Sequence, residues 1–176
     1  MDIEVTPDEL LGAAARTQIV ELRDEVYPPG SVPDWVGTVP WAAKTVRALV
    51  WNDGCLLCHV GALVREVTIE NRWVRVGGIG SVMTAPASRR CGYARTALDA
   101  MCRHLIGEQQ MSFLLLFCPD DLCSFYGKLG WQLFLDAPLV ERGNETVKFT
   151  LCRAMVQGGV EVAPTNGTLD VRGAPW

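Results

Sequence analysis

From residue 45 to residue 84 the chain reads as three strands joined by two tight turns, and this run constrains the fold more than any other stretch. Residues 45–51 and 55–69 flank Asn52-Asp53-Gly54, residue types that tolerate positive φ and close a hairpin. Glu70-Asn71-Arg72 makes the next turn, and residues 73–84 form the third strand. Strands joined this closely pair antiparallel. The result is a meander, one face of which must be covered by other elements.

The remaining segments supply that cover. Residues 8–27 read as a helix, with Ile19, Leu22, Val26 and Tyr27 at helical spacing, stopped by Pro28-Pro29-Gly30-Ser31. A loop rich in Pro, Gly and Trp runs on to Pro40. Pro86 ends the meander. Residues 92–106 then place Ala94, Ala97, Leu98, Met101 and Leu105 on one apolar stripe of a helix. Residues 112–117 are a short, wholly apolar run, which suits a strand covered on both faces in a parallel pairing. A helix is predicted over 119–129, opened by Pro119, Asp120 and Asp121 and closed by Gly130. Strands are predicted over 131–135 and 146–152, and residues 154–176 read as an irregular C-terminal extension. No internal repeat is visible. The prediction is one mixed α/β domain spanning 1–176.

Composition narrows the function classes. The 176 residues are 49% apolar and 20% charged, as in an ordinary globular protein. A net charge of −4 argues against nucleic acid as a partner, since phosphate binding needs a basic face. No apolar run reaches the roughly 18–20 residues of a membrane span. Met1-Asp2-Ile3-Glu4-Val5 does not resemble a signal peptide, so the expected location is cytoplasmic and membrane-free. Seven irregularly spaced cysteines fit reduced thiols in such a compartment. Cys55-Leu56-Leu57-Cys58-His59 matches a haem-attachment string but lies within a strand, and no second Cys/His pair stands at zinc spacing. No metal is expected. His59 and His104 are too isolated to nominate for catalysis. Assembly stays open, a homodimer included.

The strongest chemical signal is the turn Arg89-Arg90-Cys91-Gly92-Tyr93-Ala94 between a strand and a helix. A helix N-terminus leaves about four backbone N–H groups unpaired and carries roughly half a positive charge. A pyrophosphate satisfies both. Gly92 admits close backbone approach, Ala94 keeps the first turn uncluttered, and Arg89 and Arg90 add donors matched to phosphate.

With the strand before it, Val82-Met83-Thr84-Ala85-Pro86-Ala87-Ser88, this turn resembles the acetyl-coenzyme A signature of the GNAT N-acetyltransferases, although Thr84 stands where Val is usual. Cys123-Ser124-Phe125-Tyr126-Gly127-Lys128-Leu129-Gly130-Trp131 resembles the second GNAT hallmark. Many relatives carry an Asn at the preceding helix start, where this chain has Pro119.

The resemblance implies a GNAT fold: a mostly antiparallel sheet splayed between its fourth and fifth strands and flanked by helices. It implies acetyl-coenzyme A as cosubstrate. The backbone of Val82, Met83 and Thr84 would pair with the pantetheine arm as an added strand, with the Met83 N–H polarising the acetyl carbonyl. Tyr126 would protonate the leaving thiolate.

Asp34-Trp35, Ala48-Leu49-Val50-Trp51 and the ending Asp170-Val171-Arg172-Gly173-Ala174-Pro175-Trp176 further resemble the aminoglycoside 2′-N-acetyltransferases. That implies a small cationic amine held by Asp34, Trp35 and Trp176, the carboxylate of Trp176 among the groups that face it. Asp170, Glu141 and Glu145 are further candidate acids. Two departures stand out: the acid expected before the cofactor strand falls near Gly80, and the acidic penultimate region is Ala174-Pro175. The general base is therefore unassigned. Transfer to a protein N-terminus, a lysine or a polyamine remains open, as does a catalytically weak acetyl-coenzyme A sensor.

Overall fold

The computed structural model describes residues 1–176. The meander forms as read. β2 (Val46–Asn52), β3 (Cys55–Ile69) and β4 (Arg72–Thr84) pair antiparallel in sequence. Asp53 and Gly54 take positive φ in the first turn, and Glu70 and Asn71 in the second.

The N-terminus differs from expectation. Asp2–Pro7 is a strand, β1, paired with β2, and the first helix, α1 (Ala13–Val26), begins only after a short 3-10 turn. β1 alternates Ile3 and Val5 with Asp2, Glu4 and Thr6, a strand pattern, but it is short and mostly exposed.

After β4 come α2 (Tyr93–Arg103), β5 (Phe113–Cys118) and α3 (Cys123–Gly127). α3 is much shorter than the 119–129 helix expected, because Asp120–Leu122 is a 3-10 turn. β6 is only Gln132–Leu133. The predicted strand over 146–152 is replaced by a hairpin, β7 (Leu139–Arg142) and β8 (Glu145–Lys148), followed by β9 (Arg153–Gly158). The last stretch is not irregular throughout. β9 lies between β5 and β6, and β10 (Leu169–Asp170) joins β3 to β7.

All strands share one sheet, antiparallel except where β5 runs parallel to β4 and β10 parallel to β7. Side chains alternate across it. On β5, Phe113 and Leu115 enter one core while Leu114 and Leu116 enter the other, which explains the unbroken apolar run. α2 and α3 cover the second of these cores through Ala97, Leu98, Met101 and Tyr126. The opposite face is covered by α1, over Leu49, Leu56 and Met83, and by the C-terminal residues, with Trp176 in the core. Each fully buried Leu here contributes roughly 1.5–3 kcal/mol.

Candidate active site

β4 outruns its partner. Its parallel register with β5 covers only Val76–Phe113 through Ile79–Leu116, so the segment from Gly80 to Thr84 leaves the sheet on that side. A bulge marks the departure. Gly61 pairs with Gly80 and His59 with Met83, so Ser81 and Val82 together oppose Val60, with Ser81 at φ 51°.

A buried polar chain holds the bulge. Arginine only donates, so Arg47 Nη1, 3.2 Å from His59 Nε2, fixes that nitrogen as acceptor. His59 Nδ1–H then donates to the Ser81 carbonyl at 2.7 Å. Arg47 Nε reaches Asp8 at 2.7 Å, and Arg16 also donates to Asp8. His59 is fully buried, and burial pushes its pKa down to about 4, so the ring is neutral. For Asp8 burial acts upward, but Arg47 and Arg16 outweigh it and hold the carboxyl below its ordinary value.

Strand parity decides which backbone groups face the opening. Ala85 N–H bonds the Leu57 carbonyl, so Met83, two residues earlier, also turns its N–H toward β3. The groups of Val82 and Thr84 turn to the open side. The Met83 N–H, expected to polarise the acetyl carbonyl, thus points toward β3. The Met83 side chain lies buried beneath α1, and the Thr84 hydroxyl approaches Cys58 Sγ at 3.3 Å.

β4 leads through a 3-10 turn at Pro86–Ser88 into the basic turn. Arg90 and Gly92 take φ of 65° and 86°, and Gly92 is the N-cap of α2. Glycine takes such a φ at little cost; a β-carbon there is strained. No protein group accepts from the N–H groups of Gly92, Tyr93, Ala94 or Arg95, and no side chain caps the helix. Arg89, Arg90 and Cys91 are exposed around these donors, while Tyr93 and Ala94 pack against the α2-side core.

Tyr126 stands on α3, 5% exposed, its ring packed against Phe125 and Trp131. Burial, with Cys118, Tyr27 and Cys58 nearby, pushes its pKa well above that of a free phenol, so the hydroxyl stays protonated at neutral pH. Tyr126 packs in the same core as Val82 and as Cys58, the register partner of Thr84, toward the open end of β4. No protein group hydrogen-bonds the hydroxyl, and no buried side-chain polar atom is left unpaired, so it opens to solvent.

The other side of β4 is built differently. Gly78 and Gly80 present no side chain there. A Cβ on Gly78 would overlap the Trp176 indole, and one on Gly80 would lie 3.0 Å from Lys44 Cε and 3.2 Å from the Trp176 backbone. Trp176 donates Nε1–H to the Leu115 carbonyl at 3.2 Å, under the Arg65 guanidinium at 5.2 Å. Rings in contact run from Trp176 through Phe117, Phe149 and Trp41 to Trp35.

Of the predicted acceptor residues, Trp35 and Trp176 thus join one aromatic chain. Asp34 is exposed and has no hydrogen-bond or ion-pair partner. Reading the sequence missed Lys44 and the Arg47–His59 pair; only the register that sets Gly61 beside Gly80 reveals them. No group of three His, Cys, Asp or Glu side chains could hold a metal ion.

The family model of the acetyltransferase (GNAT) domain matches residues 13–134, more than half of the chain. No curated protein matches the sequence. Among solved structures, an acyl-CoA N-acyltransferase from Pseudomonas aeruginosa superposes with a TM-score of 0.62 at 17% identity, covering 89% of this chain and 99% of its own. A GNAT family N-acetyltransferase from Escherichia coli in complex with CoA gives 0.65 at 14%, covering 97% and 88%. One from Brucella melitensis in complex with acetyl-CoA gives 0.62 at 12%, covering 96% and 94%. At these identities the likeness is one of fold. With the family match, the splayed β4 and the uncapped α2, the chain belongs to the GNAT acetyltransferase family.

Proposed function

We propose that this protein transfers the acetyl group of acetyl-coenzyme A to the primary amine of a small molecule. One observation carries the reading: the free edge of β4 runs directly into the unpaired N–H groups at the start of α2, with the Tyr126 hydroxyl at the same end.

The residues present fit the cosubstrate. The N–H groups of Gly92 to Arg95 and the side chains of Arg89 and Arg90 suit a pyrophosphate, and no acid in the turn opposes it. The Val82 and Thr84 backbone suits the amide-bearing pantetheine arm, and the outward Val82 N–H supports a role in polarising the acetyl carbonyl. Bound acetyl-coenzyme A supplies the thioester. Tyr126 holds a proton on its hydroxyl and can deliver it to the departing sulfur. α2 and α3 cover one face and Trp176 covers Gly78 on the other, so the approach proposed for the amine is beside the half-buried Gly80.

An aminoglycoside acceptor, with a role in antibiotic resistance, draws its support from Trp176 seated beside Gly80. A polycation also asks for carboxylates. Asp34 makes no contact there, and Glu141 and Glu145 lie exposed on the β7–β8 hairpin. Support for the acceptor thus stops at a small amine. The seven unpaired cysteines support a reducing, cytoplasmic setting.

Release of free thiol from acetyl-coenzyme A across a panel of amines tests the reading. Amine-dependent release is expected, falling about 10²–10⁴-fold in Tyr126→Phe with cosubstrate affinity unchanged. Tight binding with no amine-dependent release contradicts it.

A further inference from the structure

His59 is fully buried on β3, in a place where an apolar side chain would be expected. Its register partners on β2 and β4, Leu49 and Met83, both enter the apolar core beneath α1. Burying an imidazole there is costly unless its nitrogens are bonded. Both are, and the bond from Nδ1–H goes to the Ser81 carbonyl at 2.7 Å. Ser81 is exposed and stands at φ 51°, a conformation that a residue with a side chain keeps only where its surroundings hold it.

The Ser81 carbonyl and the Val82 N–H belong to one peptide unit. A trans peptide plane carries these two groups in opposite directions. A bond that holds the carbonyl toward the His59 ring therefore holds the Val82 N–H away from it. Ladder parity gives the same direction, since the Ala85 N–H bonds the Leu57 carbonyl and Val82 lies an odd number of residues away. The N–H that faces the open side of β4 is thus fixed from behind by His59.

The chain of donors continues to a charge. Arg47 Nη1 lies 3.2 Å from His59 Nε2, and Arg47 Nε donates to Asp8 at 2.7 Å. Guanidinium, imidazole and peptide are arranged head to tail. A polar group that accepts a hydrogen bond at one end becomes a stronger donor at the other, by roughly 10–30% per bond.

We propose that His59 is a positioning residue for acyl transfer: by holding the Ser81 carbonyl it aims the Val82 N–H at the acetyl carbonyl oxygen of bound acetyl-coenzyme A, with Arg47 as the polarising charge behind it. The inference rests on the acetyltransferase reading and names what orients its carbonyl donor. Neither side chain touches the cosubstrate, and neither gains or loses a proton in the transfer.

Infrared difference spectra of acetyl-coenzyme A, isotopically labelled at the acetyl carbonyl and bound without any amine, test it. The carbonyl stretch of the bound thioester is expected below that of the free compound. His59→Phe keeps a ring and loses the donor. It should return the stretch toward the free value at unchanged acetyl-coenzyme A affinity, and lower kcat for amine-dependent thiol release about hundredfold. His59→Asn, whose amide reaches the Nδ1 position, should recover most of both. His59→Gln reaches only as far as Nε2, loses the Ser81 bond as well, and serves where His59→Phe fails to fold. Arg47→Gln, a donor without the charge, should give a smaller displacement of the stretch than the wild type. A merely structural role would lower the folded fraction without moving the stretch of the ligand held by the rest. A wild-type stretch equal to the free value, or a displacement that survives in His59→Phe and His59→Gln, overturns the role of His59 and leaves the acetyltransferase reading standing. Failure of acetyl-coenzyme A to bind contradicts that reading, and the inference falls with it.

Discussion

On the α2 side of β4 the candidate groups for a ligand are backbone N–H donors at Val82, Thr84 and Gly92 to Arg95. On the opposite side they are side chains, Lys44, Arg65 and Trp176, packed over glycines that have none. A backbone site recognises what every ligand with the same handle shares, here a diphosphate and an amide-bearing arm. A side-chain site can change its ligand with one substitution. In the proposed reading the two sides separate a constant cosubstrate from a variable acceptor.

Substitutions confined to one side should leave the other intact. The largest effect is expected at Gly78. A valine there displaces the Trp176 indole and should cost about 3 kcal/mol in chemical denaturation, while acetyl-coenzyme A still binds the molecules that remain folded. Equal loss of cosubstrate and acceptor binding in the folded fraction would break the separation.

The bulge joins the two sides, and its chemistry gives a pH signature. His59 has a folded pKa of about 4 against 6.5 unfolded. Below 6.5 the unfolded chain takes up a proton that the folded chain refuses, so stability falls as pH drops through this window. The slope is about 1.4 kcal/mol per pH unit at its steepest. Urea melts between pH 7 and 4 should show it, and His59→Gln should flatten it; an unchanged slope would remove His59 as its source.

The smallest effect belongs to Arg89. It is exposed and supplements donors that the backbone provides, so Arg89→Ala should weaken acetyl-coenzyme A binding only about tenfold by calorimetry, without moving the melting temperature. No weakening would exclude the side chain from the phosphate site.

The same contrast explains what the sequence makes legible. The cosubstrate side lies in one continuous stretch, residues 82–94, where strand, proline, glycine and helix stripe follow one another, and local chemistry reveals it. Tyr126 is legible through its own short motif. The acceptor side brings together a loop lysine, two strand glycines, an arginine on β3 and the last residues of the chain. No local pattern links them, because register places Gly61 beside Gly80 and packing brings Trp176 onto both β4 and β5. β9 was hidden for a related reason. Gly158-Gly159 follows its apolar core Ala154-Met155-Val156, so it reads as the start of an irregular tail, whereas its pairing to β5 places it in mid-sheet. Met83 shows the finer limit: the motif points to a segment, and only ladder parity says which of its N–H groups face outward.

Amide hydrogen exchange, resolved by residue with and without acetyl-coenzyme A, tests the central claim most directly. The prediction is strong new protection at Val82, Thr84 and Gly92 to Arg95, with Lys44 and Thr45 unchanged. Protection absent from both β4 and the first turn of α2, while acetyl-coenzyme A is bound, would contradict the account.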